Sequence, residues 1–278
     1  MLQESNMLTL PTTQTLLLEH SKGRLYITFN RPESRNAMNN KMVQELHDLA
    51  DFLAKTSLIR VVILRGSEGN FCAGGDIKER KTQTDTAVVG TDPARERNIR
   101  SGNLFNKFWN LPQTLIVVVE GAAMGGGFGF ACLADLTLVH TQAKMGMPET
   151  TLGIAPAQIA PYVVNRIGLS KAKQMALTGQ KISGEDAYRL GLAHYCAESN
   201  KALEELLESV LDSVERCGPK ASAATKKIMH QAVKLINEQT IDFAAEVFSE
   251  LNKQQEGREG HRAFVEKRKP NWLVDSGE

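Results

Sequence analysis

Short apolar runs recur through the first two hundred residues and predict β-strands. Two of them flank the polar turn at residues 21–23, and the second run ends at Asn30-Arg31-Pro32. The run at 60–65 is apolar on both faces, as in a strand covered on both sides. The predicted strands cover residues 16–20, 25–29, 60–65, 115–119, 136–139 and 193–196.

Apolar residues at three- and four-residue spacing predict amphipathic helices between and after these strands. The predicted helices cover residues 39–55, 103–109, 126 onwards, 158–167, 170–177, 183–190, 202–214, 221–235 and 242–254. Residues 78–98 are polar without a clear period, and we expect them to form a mobile segment near a site. Strands alternating with helices, followed by helices alone, predict an α/β core and a helical C-terminal appendage.

Composition narrows the class of protein. The chain has 278 residues, 42% of them hydrophobic and 23% charged, with a net charge of +1, so the charge balance favours neither nucleic acid nor a membrane as partner. Its longest uncharged apolar stretch, residues 121–134, is too short for a membrane span. The four cysteines are far apart, and the first fifteen residues resemble no targeting signal. We therefore expect a cytoplasmic protein.

Two glycine-rich turns are the strongest chemical signal in the chain. Residues 70–78 read NFCAGGDIK and residues 121–129 read GAAMGGGFG, and each follows an apolar run. Such turns present unhindered backbone N–H groups, and two amides aimed at one oxygen form an oxyanion hole. The predicted donors are the amides of Gly75 and Gly126, at strand-to-helix turns where a helix dipole would add to the field.

Glu149 is the candidate proton-transfer group. It follows Pro148 in a mostly apolar stretch with Met145, Met147 and Leu152, which predicts partial burial. A carboxyl group beside an oxyanion hole can take up and deliver protons. The competing interpretation of any single glutamate is a solvated surface residue.

Other chemistries have weaker support. The glycines match neither GxGxxG nor GxxxxGK[ST], which weakens a nucleotide-binding interpretation. The serines lack a GxSxG elbow, so a hydrolase triad of that type has no support. The six histidines lack HxH or HxxxH spacing, so no metal site is predicted. Cys72 has apolar neighbours and is expected to pack rather than react. The basic run 267–269 is either a solvated tail or a phosphate clamp.

Together, these motifs resemble the crotonase superfamily of enoyl-CoA hydratases and isomerases. The resemblance spans about residues 15 to 272. The segments that carry it are Asn70–Glu79, Gly121–Gly129, Gly146–Gly153, Leu177–Ala187, Leu190–Leu192 and Ala263–Lys269.

The resemblance implies a ββα spiral catalytic core over residues 1–200 and a helical trimerisation region over 201–278, usually in a hexamer. It implies an acyl-CoA substrate and no separate cofactor. The amides of Gly75 and Gly126 would hold the thioester carbonyl. The CoA moiety would lie along residues 73–78, and Lys78 would approach its phosphates together with residues of a neighbouring subunit. The implied CoA-binding residues are Ala73, Asp76, Ile77, Lys78, Phe264 and Lys267.

One position departs from the usual hydratase pattern. Typical members carry a second glutamate two residues after the third glycine of GGG, and this chain has Gly129 there. Glu149 alone remains. The stretch from Pro148 to Pro161 most resembles hydratases of 3-methylglutaconyl-CoA and isohexenylglutaconyl-CoA, which also lack the second glutamate.

The resemblance therefore implies hydration of a β-branched 2-enoyl-CoA. Two alternatives remain: a Δ3,Δ2-enoyl-CoA isomerase that uses one glutamate, and a non-catalytic acyl-CoA-binding protein on the same fold. Candidate walls of the acyl site are helix 103–109, the segment before it and residues 158–162. The apolar surface there would come from Phe105, Phe108, Trp109 and Phe130, and Gln158 could bind a polar group of the substrate.

Overall fold

Two β-sheets form the frame of the catalytic region. The computed structural model describes residues 8–76, 79, 93–232 and 254–271. The strands are β1 (Leu16–Ser21), β2 (Arg24–Phe29), β3 (Val61–Gly66), β4 (Thr114–Val119), β5 (Ala122–Met124), β6 (Leu136–His140), β7 (Lys144–Gly146), β8 (Lys181–Ser183) and β9 (Tyr195–Ala197). Six of them form one sheet in the order β1-β2-β3-β4-β6-β9, and β5-β7-β8 form the other.

The large sheet matches the predicted strands. β1 and β2 form an antiparallel hairpin, β3 joins β2 in parallel, and β6 lies parallel between β4 and β9. The side chains of β3 and β4 are almost entirely buried, as their apolar character on both faces predicts. The small sheet was not predicted because each of its strands has only three residues, too few to show a period.

Eight α-helices lie within the described residues. They are α1 (Asn40–Leu53), α2 (Pro93–Trp109), α3 (Gly126–Leu133), α4 (Ala160–Thr178), α5 (Gly184–Arg189), α6 (Asn200–Glu215), α7 (Pro219–Ala232) and α8 (Gln255–Glu266). Asn39 caps α1 by accepting a hydrogen bond from the Met42 amide at 2.8 Å. The apolar face of α1, including Leu46 and Leu49, is fully buried.

Helix boundaries differ from the prediction in three places. α2 begins at Pro93, ten residues before the predicted start, because its first turns are polar and show no apolar period. The two helices predicted after residue 158 form one element, α4, interrupted at Gly168 with φ 75° and ψ 158°. α8 was not predicted. Residues 78 and 80–92 of the predicted mobile segment, and 242–253 of the last predicted helix, lie outside the described residues.

The chain divides into two compact units. The first comprises residues 1–111 and 115–206 and contains both sheets and one continuous apolar core. Its centre includes a cluster of phenylalanines in which Phe29 stacks on Phe71 at 5.3 Å between ring centroids. This is the predicted α/β architecture, followed by helices.

The second unit comprises residues 112–114 and 207–278. Its C-terminal part is held by Glu259, which accepts hydrogen bonds from Arg268 at 2.5 and 3.0 Å and from the Asn271 amide at 3.0 Å. Over the described parts of both units, no helix has the length and apolar character needed to cross a membrane.

Gly127 is required by the close packing of α3 on the first glycine turn. A Cβ at this position would lie 2.6 Å from the Cys72 carbonyl oxygen, and that oxygen already accepts a hydrogen bond from the Met124 amide. We expect Gly127→Ala to lower the free energy of unfolding by about 1–3 kcal/mol, since rigid backbone has to move. Urea denaturation measures this change.

Gly126→Ala is the matched control on the same helix. Its Cβ would meet the terminal methyl of Met38 at 2.3 Å, and a methionine side chain can rearrange. The free energy of unfolding should then change by less than about 1 kcal/mol. Equal destabilisation by the two substitutions would contradict this account of the packing.

A polar network around His194 ties α4 to β6. His194 Nδ1 accepts a hydrogen bond from the Thr137 amide at 2.9 Å, and Arg166 lies 2.9 Å from Nε2. Arg166 also donates to the carbonyl oxygens of Cys132 and Ala134. Burial, together with the charge of Arg166, lowers the pKa of His194. The imidazole is therefore held in its neutral form.

This network makes stability depend on pH. A lowered pKa in the folded state means that the unfolded chain binds the proton more tightly, so stability is lost as pH falls below about 6.5. His47, whose pKa is also lowered by burial, contributes in the same direction. We expect the free energy of unfolding to fall from pH 7 to pH 5, by at most about 1.4 kcal/mol per pH unit for each histidine.

His194→Asn tests the assignment, because an asparagine oxygen can accept the Thr137 amide without titrating. Chemical denaturation at several pH values should give a shallower slope for the variant than for the wild type. An unchanged slope would show that His194 does not carry the effect.

Candidate functional site

The first glycine turn pairs with Met38 through hydrogen bonds that do not use the Gly75 amide. In the bridge between Met38 and Gly75, the Met38 amide donates to the Gly74 carbonyl at 2.8 Å and the Asp76 amide donates to the Met38 carbonyl at 2.9 Å. Among the described residues, none accepts a hydrogen bond from the Gly75 amide. This amide is available to a ligand in the cavity that Gly75 lines.

The second glycine turn places an amide at the start of α3. Gly125 precedes the helix with φ 51° and ψ −115°, a conformation that a residue with a side chain adopts only under strain. Its own amide donates to the Gly146 carbonyl at 2.9 Å. Gly126 is the first helical residue, where the N–H has no intrahelical acceptor and the helix dipole adds positive potential.

Glu149 lies directly against the second turn. It sits in the short 3₁₀ helix Pro148–Leu152, which ends at Gly153 with φ 71°. The Ile154 amide donates to the Glu149 carbonyl at 3.1 Å and holds this segment in place. A Cβ on Gly125 would lie 3.0 Å from Glu149 Oε1. The half-buried carboxylate therefore occupies the space that the missing side chain of Gly125 leaves.

One cavity of about 400 Å³ in the first unit brings the three predicted catalytic residues together. Gly75, Gly126 and Glu149 all line it, although they come from three separate parts of the chain. Its other lining residues are Met38, Asn39, Asn40, Val43, Asp76, Glu79, Arg97, Asn98, Arg100, Ser101, Phe105, Ile154, Ala155, Gln158 and Ile159. Two amides and one carboxylate at a single cavity can stabilise a developing oxyanion and move a proton.

The structure describes the side chains of three residues that were predicted to bind CoA, namely Ala73, Asp76 and Lys267. The Ala73 amide donates to the Arg35 carbonyl at 3.0 Å. Asp76 lines the cavity and accepts a hydrogen bond from Arg31 at 3.0 Å, so this carboxylate also holds the turn. Lys267 is exposed after α8 with φ 53°. Ile77, Lys78 and the side chain of Phe264 lie outside the described residues.

The expected apolar walls are only partly correct. Phe105 lines the cavity, whereas Phe108 and Phe130 are fully buried in the core with their rings packed edge to face. Trp109 packs on Tyr162, with ring centroids 5.5 Å apart, and is not among the lining residues. The aromatic residues predicted an apolar surface at the acyl site, but the sequence did not show which of the rings pack in the core instead.

The segment before helix 103–109 was predicted as a wall of the acyl site, but its helical structure and its individual lining residues were not. The early start of α2 brings Arg97, Asn98, Arg100 and Ser101 to the cavity. Gln158, which was predicted, donates to Asn98 Oδ1 at 2.6 Å. The signal that could have identified the α2 residues is the proline at its first position, a frequent helix start.

Neither a reactive cysteine at this cavity nor a metal-ligand cluster is observed among the described residues. Burial raises the pKa of the Cys72 thiol to about 12, so the thiolate nucleophile is not formed near neutral pH. Across the residues the structure describes, no three His, Cys, Asp or Glu side chains are grouped closely enough to hold a metal ion.

Comparisons with known proteins identify the family. The family model described as enoyl-CoA hydratase/isomerase matches residues 19–274. The structure of Pseudomonas aeruginosa AtuE superposes with a TM-score of 0.90 and 45% identity, covering 93% of this chain and 99% of that one.

Two relatives are named for particular acyl-CoA substrates. The 2,3-dehydroadipyl-CoA hydratase of Escherichia coli is 29% identical over 92% of this chain and 98% of its own length. The mitochondrial methylglutaconyl-CoA hydratase of Mus musculus is 29% identical over 92% of this chain and 81% of its own. Together with the α/β core, these matches show that the chain belongs to the enoyl-CoA hydratase/isomerase family of the crotonase superfamily and is an enzyme of the hydro-lyase type.

Proposed function

We propose that this enzyme hydrates a β-branched 2-enoyl-CoA, of the 3-methylglutaconyl or isohexenylglutaconyl type, to the 3-hydroxyacyl-CoA. The observation that carries the proposal is the arrangement of two glycine amides and one carboxylate, Glu149, at a single cavity.

Packing leaves no room for a side chain at Gly129, where typical hydratases carry the second glutamate. A Cβ on Gly129 would lie 2.4 Å from Cγ2 of Ile159 and 3.6 Å from Cζ of Phe105. Apolar side chains therefore fill the space into which a second carboxylate would project. The usual second glutamate is therefore missing from its position, and in the proposed reaction Glu149 alone transfers protons.

The proposed reaction adds the elements of water across the conjugated double bond. The water oxygen forms a bond to the β-carbon while the double-bond electrons move toward the thioester oxygen. The Gly75 and Gly126 amides stabilise the negative charge that develops there. Glu149 takes one proton from the water and then delivers one to the α-carbon, so it ends in its starting state.

A β-alkyl substituent suits a site with a single carboxylate. The substituent stabilises partial positive charge at the carbon that water attacks, which lessens the need for a second base. Support also comes from one relative, the mitochondrial methylglutaconyl-CoA hydratase of Mus musculus.

The proposal extends to substrate binding and assembly. The CoA moiety would run along residues 73–78, with Lys78 near its phosphates and with Phe264 and Lys267 contributed by a neighbouring subunit of a homotrimer or hexamer. The core would end near residue 200, and residues 201–278 would form the oligomerisation region. We place the enzyme in the cytoplasm, and CoA enters only as part of the substrate.

The test compares two substrates with purified enzyme. We expect kcat/KM for 3-methylglutaconyl-CoA to exceed that for crotonyl-CoA by at least about tenfold, a ratio within the reach of pocket complementarity. Faster turnover of crotonyl-CoA would contradict the β-branched preference. Tight binding of acyl-CoA with no turnover would instead support the non-catalytic alternative.

A further inference from the structure

The two glycine turns contact each other through their backbones. The Cys72 amide donates to the Ala122 carbonyl of β5 at 2.8 Å, and the Met124 amide donates to the Cys72 carbonyl at 2.9 Å. Past this pairing, a Cβ on Gly74 would lie 3.2 Å from the Met124 carbonyl oxygen, and one on Gly125 would lie 3.8 Å from Gly74 Cα. The turn at residues 70–78 therefore rests on the backbone that leads into α3.

The side chain of Cys72 lies at this junction and is fully buried. Its sulfur accepts a hydrogen bond from the Gly74 amide at 3.4 Å, and its thiol donates to the Gly74 carbonyl oxygen at 3.7 Å. On the opposite side, a Cβ on Gly127 would lie 2.7 Å from Cys72 Cβ and 3.2 Å from Sγ. The thiol therefore fills the space between the turn at 70–78 and the start of α3.

Backbone amides from both turns use this thiol as an acceptor. Burial raises the pKa of the Cys72 thiol to about 12, and hydrogen bonds from the amides of Gly74, Met38 and Gly127 lower it in part. Gly127 is the second residue of α3, where an N–H group has no intrahelical acceptor. The polarisable sulfur of a neutral thiol can accept such bonds.

The contacts of the thiol lie next to the two proposed oxyanion donors. Gly74 directly precedes Gly75, and Gly127 directly follows Gly126. A change in the space that Cys72 fills would therefore move the backbone on both sides. Because stabilisation of an oxyanion needs both amides within hydrogen-bond distance of one oxygen, such a movement acts on the rate.

We propose that Cys72 is a positioning residue whose thiol sets the separation of the Gly75 and Gly126 amides and thereby the stabilisation of the thioester oxyanion. This inference rests on the proposed hydration and assigns a role in it to a buried, unreactive cysteine. The role requires a hydrogen-bond acceptor at this position as well as a side chain of the right size.

The first test is steady-state kinetics of two Cys72 variants with 3-methylglutaconyl-CoA. Cys72→Ala removes the sulfur, and we expect kcat to fall by about 10- to 100-fold, as for a small misplacement of reacting groups. KM should change by less than about threefold, because the amides act most strongly on the charge of the transition state. Cys72→Ser keeps an acceptor and should retain kcat within about threefold of the wild type. A loss of kcat in the serine variant as large as that expected for alanine would contradict the role of the acceptor, whether or not the alanine variant folds.

Cys132→Ala is the matched control, because it removes the same atom from the same core. Cys132 is the other buried cysteine and lies near the end of α3, where its carbonyl oxygen accepts from Arg166 at 3.0 Å. We expect its kcat to stay within about threefold of the wild type. If both alanine variants lower kcat equally, general packing explains the effect and the inference is wrong.

The second test measures polarisation of the thioester carbonyl directly. The ligand is 3-methylglutaryl-CoA, a saturated analogue that cannot be hydrated, with ¹³C at the thioester carbonyl. Binding should shift the infrared band of this carbonyl to lower frequency in the wild type and in Cys132→Ala, and by less in Cys72→Ala. An equal shift in the wild type and in Cys72→Ala overturns the inference alone, whereas failure of the wild type to hydrate any enoyl thioester overturns the proposed function as well.

Discussion

Glu149→Gln is expected to lower kcat by about 100- to 10,000-fold, with only a modest change in KM. Glutamine keeps the size of the side chain and can still contact water, but it cannot take or deliver a proton. Because the carboxylate packs against Gly125, the neutral amide should fit without displacing the turn. Steady-state kinetics with a β-branched enoyl-CoA measures both constants.

Glu79→Gln is the control for this substitution. Glu79 is another carboxylate at the same cavity, but its Oε2 accepts the Asn40 amide at the start of α1, a role that a glutamine oxygen can keep. We expect kcat to remain within about threefold of the wild type. If Glu149→Gln keeps most of the activity, Glu149 is not the proton-transfer group.

Gly126→Pro is expected to lower kcat by about 100- to 1,000-fold relative to Gly126→Ala. Proline removes the backbone N–H, and the first position of a helix is where proline is best tolerated. Alanine adds a Cβ at the same place and retains the N–H, so both variants have to displace the Met38 methyl. The ratio of their kcat values therefore removes the effect of the Cβ and reports the replacement of the N–H by the proline Cδ.

Thermal unfolding of both Gly126 variants shows whether each is folded before its kinetics are interpreted. If the folded proline variant turns over as fast as the alanine variant, the Gly126 amide does not hold the oxyanion. In that case the Gly75 amide would have to act without it.

The glycine turns of the candidate site could be predicted because their geometry depends on local sequence. Glycines at 74–75 and 125–127 allow close approach of backbone, and this is visible without knowledge of the fold. The structure then adds what local pattern does not contain, namely that Glu149 fills the space beside Gly125. Hydrophobic periodicity also predicted the α/β core and the helices that follow it, because long apolar elements show a clear period.

The walls of the acyl site were predicted as segments, but the contacts between these segments could not be predicted, for physical reasons. Asn98 and Gln158 are sixty residues apart and meet only through tertiary packing. The first turns of α2 are polar, so no apolar period marks the helix that carries Arg97. The small sheet escaped prediction because three-residue strands hold no pattern. The roles in CoA binding remain predictions for all six residues, namely Ala73, Asp76, Ile77, Lys78, Phe264 and Lys267.

The most direct test of the account is turnover of purified enzyme in ¹⁸O-labelled water, followed by mass spectrometry of the acyl thioester. The enzyme would be offered 3-methylglutaconyl-CoA and, separately, a 3-enoyl-CoA. The account predicts that the branched substrate gains one labelled water and that Glu149→Gln slows this gain by about 100- to 10,000-fold. Conversion of the 3-enoyl substrate at unchanged mass, with no water added to the branched one, would contradict hydration and make the enzyme an isomerase that uses Glu149 only to shuttle a proton.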